Sequence, residues 1–305
     1  MTSSSPVIIS KVQPLLRIGL LLYIVLTASF CYVFILRGLE YAPPLAFAGF
    51  RTFIGGVTLL GISALRTGRI LPERRLWKWV PCVALTATSL TFGTMFLSPG
   101  FAGAGIASIL GNAQPLFIAA IGFFFLQERL SPLRALALLF GLIGVIVIVS
   151  PSFGAKENAL LIGSLIALMT SLSAAIGTVL GRYIKLGDSI VAFVGTQLAT
   201  GGIILLFASL IFENDSIEWT PAFLGILLFL AILNTAFVAW AWFYLLQREQ
   251  ASGLGMYLFL VPVLGVAWAY VFAGERPEPT SFLGGAIVLL AVFTQEFEGF
   301  RRRVR

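Results

Sequence analysis

Long runs of hydrophobic residues fill most of this chain, and short connectors rich in glycine, proline and charge separate them. A helix of about twenty residues, at 1.5 Å per residue, crosses the roughly 30 Å hydrocarbon core of a membrane. The pattern predicts ten membrane-spanning helices. Their expected positions are 17–37, 43–65, 78–98, 103–126, 132–150, 158–181, 189–212, 221–245, 250–273 and 280–298.

Two stretches of the sequence occur twice at almost the same separation. Leu45–Leu60 matches Val191–Leu206 at a shift of 146 positions, and the stretch around Pro115 recurs around Pro262 at a shift of 147. Apolar composition alone does not explain two gap-free blocks with nearly one offset. We therefore predict a tandem duplication in which each half of the chain is one repeat.

Each predicted repeat contains five spans, the first at residues 17–150 and the second at 158–298. Because five is odd, the second repeat must run through the membrane upside down relative to the first. Inverted-topology repeats are typical of secondary transporters, whose substrate site lies near the midplane between the halves. The predicted fold class is an all-α polytopic membrane protein with ten transmembrane helices in two inverted five-helix repeats.

The composition agrees with a membrane protein, and the charge distribution predicts its orientation. Hydrophobic residues make up 59% of the chain and charged residues 11%, against roughly 25% charged in soluble domains. In the predicted topology, 16 Lys and Arg side chains lie on one side and 3 on the other, which places both termini in the cytoplasm. The same bias accounts for the net charge of +7, so we expect no nucleic-acid partner.

Several sequence features occur together in one known family. They are Phe50-Arg51 in span 2, the mid-span Pro115 and Pro262, the pairs Glu128-Arg129 and Glu275-Arg276, and Gly141 and Gly144 in span 5. With its ten spans in two halves, the chain resembles the EamA-type branch of the drug/metabolite transporter superfamily over essentially its whole length. The resemblance implies a basket of ten helices around a central cavity, and export of amino acids, other metabolites or drugs.

The chain has no histidine, and all 13 of its carboxylates fall in connectors or at span ends. No zinc site, histidine base or Ser-His-Asp triad can be assembled, so we expect neither an enzyme nor a bound metal or cofactor. A proton relay through titrating side chains has no obvious carrier inside the membrane. These features favour neutral, zwitterionic or weakly anionic solutes.

Neutral polar and aromatic side chains inside the spans are the candidates for substrate binding. Rings suit an apolar side chain, and amides suit the charged ends of an amino acid. The alternative for each aromatic residue is a position that faces lipid or belongs to the interfacial belt. The candidates are Asn112, Gln114, Gln197, Asn234, Trp240, Tyr257, Phe92 and Thr170.

Pro115 and Pro262 lie near the middle of spans 4 and 9, where proline removes a backbone hydrogen bond and frees a carbonyl. Their repeat-related positions favour hinges beside the site, with a static kink as the alternative. Asn112 and Gln114 lie close enough in sequence to bond the freed carbonyl. Arg51 is the one charge well inside a span, and we expect a structural role or pairing with an anion.

Together these features predict a secondary transporter that exports small metabolites across the cytoplasmic membrane by alternating access through a central midplane cavity. Amino acids that are neutral, or have aromatic or apolar side chains, are the favoured substrates. A passive channel-like facilitator and an exporter of drug-like or other organic solutes remain the alternatives. The expected partners are the small-molecule substrate and the lipid bilayer, and the chain is compatible with a monomer.

The orientation can be tested by thiol labelling from outside whole cells. In a chain without its two native cysteines, we expect Asp215→Cys to react with a membrane-impermeant reagent and Ile70→Cys to stay unlabelled. The reason is that residues 66–78 are rich in the positive charge that is retained in the cytoplasm. Labelling of position 70 and not of position 215 would contradict this orientation; permeabilised cells, in which both should react, are the control.

Overall fold

The computed structural model describes residues 13–111, 113–128, 131–149, 157–261, 263–264 and 279–304. These residues form helices and connectors with no β-strand, which confirms the predicted all-α polytopic membrane fold. Six helical segments of this part are long and apolar enough to span a membrane. They are Pro14–Cys31, Pro44–Thr67, Arg74–Ser98, Leu161–Tyr183, Gly187–Phe212 and Pro221–Leu246.

Three shorter apolar helices fall within the predicted spans 4, 5 and 10. They are Gln114–Phe125, Pro132–Gly144 and Phe282–Thr294. Predicted span 9 covers residues 250–273, of which position 262 and positions 265–273 lie outside the described residues. The count of ten spans therefore stays a prediction.

The α-helices are numbered here in chain order. They are α1 Pro14–Gly38, α2 Pro44–Thr67, α3 Val80–Val83, α4 Thr91–Gly111, α5 Gln114–Phe125, α6 Pro132–Val149, α7 Glu157–Tyr183, α8 Ile190–Phe212, α9 Pro221–Leu228, α10 Val238–Leu246, α11 Ala251–Gly255 and α12 Pro279–Val304. A first π-helix, Ala84–Leu90, joins α3 to α4, and a second, Phe229–Phe237, joins α9 to α10. Short 3₁₀ segments are Arg74–Trp79, Gly187–Ser189 and Met256–Phe259.

Proline and glycine mark helix ends, as the sequence pattern predicts. α1, α2, α6, α9 and α12 each begin with proline, whose missing N–H is one that the first turn leaves unpaired in any case. α2 ends at Thr67 and is capped by Gly68, which has a φ of 66° and donates its N–H to the Ala64 carbonyl at 3.0 Å. Glycine adopts this left-handed conformation without steric cost, so it ends the helix cleanly.

The chain bends sharply within α4. The Thr94 hydroxyl lies 2.7 Å from the Thr170 hydroxyl, while the Ser171 hydroxyl donates to the carbonyls of Leu110 and Gly111. In a straight helix, residues 94 and 110 would lie about 24 Å apart. That is too far for both to meet adjacent residues of α7. The bend lies between Thr94 and Leu110, and this stretch contains the connector that the sequence predicts between spans 3 and 4.

α2 and α8 pack against each other backbone to backbone. A Cβ atom on Gly56 would lie 2.3 Å from the Ala199 nitrogen and 2.7 Å from the Gly195 carbonyl oxygen. Real Cβ atoms do not approach backbone atoms this closely, so the contact depends on glycine. Small residues at such positions are typical of membrane helix pairs, because they let the two backbones approach.

The same contact recurs with the roles of α2 and α8 exchanged. A Cβ atom on Gly202 would lie 2.5 Å from the Phe53 nitrogen and 2.9 Å from the Gly49 carbonyl oxygen. These are the positions that the 146-residue shift pairs with the three residues of the first contact. Residue numbers rise along α2 as they fall along α8 between the two contacts, so the helices are antiparallel.

The two π-helices occupy matching places beside this helix pair. A Cβ atom on Gly55 of α2 would lie 2.8 Å from the Ala231 carbonyl oxygen in the second π-helix. A Cβ atom on Gly201 of α8 would lie 3.0 Å from the Ala84 carbonyl oxygen in the first. The glycines are 146 positions apart and the alanines 147, so the reciprocal arrangement extends from α2 and α8 to spans 3 and 8.

Gly56→Ala is expected to lower the thermal stability, because its methyl group would push α2 away from α8 at an overpacking cost on the order of 1–3 kcal/mol. Gly61→Ala in the same helix is the matched control, since nothing lies within 4 Å of a Cβ atom there. At that open position alanine favours the helix over glycine by about 1 kcal/mol. The measurement is the midpoint of thermal unfolding in detergent. Equal midpoints for the two variants would show that the close contact does not limit the packing of α2 on α8.

Candidate functional site

Arg51 in α2 is buried, with 2% of its surface exposed. Its Nε donates to the Thr235 hydroxyl at 2.7 Å, and its Nη2 donates to the side-chain oxygen of Asn234 at 2.5 Å. Nη1 lies 3.3 Å from the Sγ of Cys31 in α1. The guanidinium group therefore joins α2 to α1 and to the second π-helix.

Two aromatic rings complete the surroundings of Arg51. Its guanidinium carbon lies 4.9 Å from the ring centre of Phe92 and 5.9 Å from that of Phe96. Asn234 also donates to the carbonyl of Thr27 in α1 at 2.5 Å. Neutral acceptors and ring faces stabilise the buried charge here. The structure thus brings together three of the predicted residues, Arg51, Asn234 and Phe92.

Gln197 in α8 is the residue that the 146-position shift pairs with Arg51. Its side-chain oxygen accepts a hydrogen bond from the Thr88 hydroxyl of the first π-helix at 2.7 Å. Thr88 is in turn the 147-position partner of Thr235, to which Arg51 donates. An amide–hydroxyl pair in one half therefore stands where the other half has a guanidinium–hydroxyl pair.

Hydroxyl groups of α7 face the polar groups of span 3. The Thr170 hydroxyl lies 2.7 Å from that of Thr94, and the Ser173 hydroxyl lies 3.2 Å from that of Thr91. Thr170 and Ser173, together with two further polar residues of α7, form a surface that we call the α7 polar face. Its members are Thr170, Ser171, Ser173 and Thr178.

The predicted kink at Pro115 is a break between two helices. α4 ends at Gly111 and α5 begins at Gln114, with Pro115 in its first turn. Proline has no N–H to donate to the carbonyl four residues earlier, that of Gly111. This carbonyl accepts from the Ser171 hydroxyl at 2.7 Å instead. The sequence pointed to neighbouring amides for this role, whereas the partner in the structure comes from α7.

The Thr178 hydroxyl is shared by side chains from two other spans. Gln114 of α5 donates its Nε2 at 3.4 Å, and Trp242 of α10 donates its Nε1 at 3.2 Å. Both donors are only partly buried. An amide, an indole and a hydroxyl from spans 4, 8 and 6 therefore meet at one point. Such a group suits a solute with polar ends and an apolar body.

Other predicted site residues lie away from the α7 polar face. Trp240 lines an apolar cavity of about 390 Å³ between α2, α8 and the second π-helix. The Tyr257 hydroxyl accepts from Nη2 of Arg17 at 2.9 Å, and its ring lines a separate apolar groove of about 420 Å³ beside α1. Asn112 and Pro262 lie outside the described residues.

Thr91 and Thr94 bond the α7 polar face and are therefore candidate site residues that the sequence reasoning missed. They follow Thr88 at steps of three, and residues three apart share a helix face, so the spacing was a usable signal. Hydroxyl side chains in membrane helices commonly bond a carbonyl of their own helix, as Thr94 also does with Leu90 at 2.5 Å. For that reason hydroxyls carry less information than amides in a sequence read alone.

The described ranges contain no group of three His, Cys, Asp or Glu side chains that could hold a metal ion. Cys31 is buried and Cys82 is exposed, and both are free thiols. The side chains of the α7 polar face are hydroxyls, and the side chains from other spans that bond them are hydroxyls, an amide and an indole. The chemistry that they offer is recognition by neutral hydrogen bonds next to an aromatic surface.

The sequence model of the EamA-like transporter family matches residues 15–150 and again residues 161–294. The chain is 29% identical to the uncharacterized transporter YoaV of Bacillus subtilis over 88% of this chain and 92% of that protein. It is 32% identical to the uncharacterized transporter YvbV of the same organism, over 83% of this chain and 82% of that one.

A third relative has a more specific name. The chain is 27% identical to the probable amino-acid metabolite efflux pump of Salmonella typhimurium, over 93% of this chain and 95% of that protein. A solved crystal structure also matches, with a TM-score of 0.78 over 92% of this chain and 95% of that chain. Its sequence identity is 17%, so this likeness shows the fold alone.

Arg51→Gln is expected to be more stable than Arg51→Lys. A glutamine can pair with Thr235 as Gln197 pairs with Thr88, whereas a lysine keeps the charge and replaces the planar fork with a point donor. Each lost hydrogen bond to the charged group costs about 1.5–3 kcal/mol. The measurement is the thermal midpoint in detergent, with Arg66→Gln at the exposed end of α2 as the control.

The opposite order of stability would contradict a structural role for Arg51. If, in addition, only Arg51→Lys kept the KM for uptake into liposomes, Arg51 would be assigned to an anionic part of the substrate. This readout separates the two roles that the sequence left open for Arg51.

Proposed function

The chain belongs to the EamA-like transporter family, and on that premise we propose that it is a secondary transporter that exports small metabolites by alternating access. It is an integral inner-membrane protein of a transporter family, not of an enzyme family. The family match confirms the resemblance that the motifs suggested. The substrates that we propose are amino acids that are neutral or have aromatic or apolar side chains.

The observation that carries this proposal is the reciprocal packing of α2 and α8. Each backbone contact made in one direction recurs in the other after a shift of 146 positions, and the π-helices follow with a shift of 147. Antiparallel helices with exchanged roles are what a two-fold axis in the membrane plane produces. This supports inverted repeats at residues 17–150 and 158–298, the architecture that allows two mirror-related access states.

We place the substrate path along the α7 polar face. Gln114 and Thr170, two of the predicted binding residues, lie there with Thr178 and Trp242. Neutral donors and acceptors can hold both ends of a zwitterion, while the indole ring covers an apolar side chain. The described bonding partners on this face include no carboxylate, so a permanent cation is a poorer fit than a zwitterion.

Other predicted binding residues support the helices around this path. Asn234 bonds Arg51 of α2 and the Thr27 carbonyl of α1, and the ring of Phe92 lies beside the Arg51 guanidinium group. Gln197 of α8 bonds Thr88 of the first π-helix. We therefore propose that they position the helices that line the path. Direct contact of these residues with substrate, and the roles of Asn112, Trp240 and Tyr257, stay predictions.

The relative from Salmonella typhimurium favours amino-acid export, since it is named as a probable amino-acid metabolite efflux pump. The same fold can also carry a passive channel-like facilitator or an exporter of drug-like solutes, because fold alone does not determine substrate. In the proposed orientation both termini are cytoplasmic. Because one chain contains both repeats, we propose that the protein functions as a monomer.

We propose that Pro115 and Pro262 are hinges of the helices beside the path. The support comes from span 4, where the break before Pro115 leaves the Gly111 carbonyl bonded to Ser171 of another helix. A carbonyl that depends on another helix can exchange that partner when the helices move, without loss of a bond within its own helix. Pro262 is the repeat partner of Pro115 in span 9.

The purified protein in liposomes should catalyse saturable counterflow of an amino acid from a panel with neutral, apolar and aromatic side chains. Uptake should persist without a pH gradient, because the path is proposed to contain no titrating side chain. Flux without saturation or counterflow would favour a channel-like facilitator. Accumulation driven by an imposed proton gradient would contradict the absence of a side-chain proton carrier.

A matched pair of variants controls this assay. Thr178→Val keeps the shape of the side chain and should raise the KM about fivefold, the effect of losing a neutral hydrogen bond worth about 1 kcal/mol. Thr58→Val should leave the KM unchanged, because the Thr58 hydroxyl bonds the Ile54 carbonyl of its own helix. An unchanged KM in Thr178→Val would remove the α7 polar face from the binding site.

A further inference from the structure

Two helices begin with N–H groups that their own N-cap side chains leave unpaired. The N-cap residues are Pro43 before α2 and Gln250 before α11, and neither makes a capping hydrogen bond. First-turn N–H groups of a helix have no partner within the helix. The donors concerned belong to the buried residues Leu45, Ala46, Ala251 and Ser252.

Carboxylates from the other half of the chain accept these donors. Glu213, which follows α8, accepts the two N–H groups of α2 at 2.7 and 3.0 Å. Glu128, which follows α5, accepts the two N–H groups of α11 at 2.8 and 3.1 Å, and the Ser252 hydroxyl at 2.6 Å. A negative charge at a helix N-terminus also interacts favourably with the helix dipole. Each carboxylate thus ties a helix of one half to the other half.

The two carboxylates lie at opposite ends of the molecule. α8 has 23 residues and is therefore about 34 Å long. Glu213 lies at its C-terminal end. Near its N-terminal end, the Leu186 N–H donates to the side chain of Gln247. Gln247 lies four residues before the start of α11, the helix that Glu128 caps. In the proposed orientation, Glu128 belongs to the cytoplasmic end and Glu213 to the external end.

The connector that Glu128 holds is also bound by other helices of the cytoplasmic end. Gln247 bonds three backbone groups at and beyond the end of α7. Arg17 of α1 pairs with Glu249 at 2.8 Å. Arg134 of α6 donates to Gln250 at 2.6 Å. Residues 247–252 are therefore a meeting point of several spans, and Glu128 provides the most buried of its charged groups at 7% exposure.

We propose that Glu128 and Glu213 are the positioning residues that keep the cytoplasmic and external ends closed during transport. The inference rests on the proposed alternating-access function. Glu128 ties span 4 to span 9 at one end, and Glu213 ties span 7 to span 2 at the other. Both carboxylates are engaged in this structure. To open one end, the carboxylate at that end must release the two N–H groups that it accepts. The carboxylate at the other end stays bonded to its two N–H groups.

Two cysteine reporters can measure the opening of each end. Ala48 and Leu254 each lie three residues after the first capped N–H of their helix, and both are 0% exposed. Ala48→Cys and Leu254→Cys are introduced separately into a chain with Cys31→Ser and Cys82→Ser. A membrane-impermeant thiol reagent is applied to whole cells for the external end and to inside-out vesicles for the cytoplasmic end.

Each carboxylate variant should raise the labelling rate only at its own end of the molecule. Glu128→Gln should raise the labelling rate of Leu254→Cys, and Glu213→Gln that of Ala48→Cys, each by about twofold to thirtyfold, the range for loss of a helix cap. Asp188→Asn and Glu218→Gln remove exposed carboxylates near the same two ends and should change neither rate. Equal effects of both variants on both reporters, or no effect, would overturn the proposal.

A milder variant decides the outcome if Glu128→Gln does not fold. Ser252→Ala removes only the 2.6 Å hydroxyl bond to Glu128, so it should raise the labelling of Leu254→Cys by a smaller factor. No rise in Ser252→Ala would overturn the role of Glu128. Labelling needs no substrate, so failure to transport any amino acid would refute the proposed function while the labelling rates still decide the role of the carboxylates.

Discussion

The backbone contact between α2 and α8 is the constraint on which the rest of the structure depends. Lipid is as apolar as the side chains, so helices in a membrane associate through close packing and polar bonds instead of hydrophobic burial. Gly56 and Gly202 allow this approach at two reciprocal points. Once these helices are set, the neighbouring π-helices and their polar side chains are placed in matching positions in both halves.

Within this matched frame, the two halves differ in charge. Arg51 and Gln197 hold equivalent positions and bond equivalent threonines, but only Arg51 has a charge to stabilise. Asn234, Cys31 and two aromatic rings supply that stabilisation, which adds α1 to the contacts of the first half.

The polar groups that matter most for the proposed movement are satisfied by distant parts of the chain. The Gly111 carbonyl is bonded by Ser171, the first turn of α2 by Glu213 and the first turn of α11 by Glu128. In each case the local sequence contains proline or lacks a side-chain cap, so the helix cannot pair its own group. Bonds of this kind can be exchanged by rigid movement of helices, which suits the alternating access and the inverted repeats that we propose.

The sequence by itself determined the membrane fold class, the duplication and the family. Hydrophobic run length and a constant shift between repeated blocks can be read along a single chain. It also singled out Arg51 and Pro115 as positions that need partners. The partners themselves were decided only by the tertiary structure: Asn234 and Thr235 for Arg51, and Ser171 for the carbonyl that Pro115 leaves free. Such bonds join residues from 60 to 184 positions apart and leave no periodic trace, so only the packing of the helices determines them.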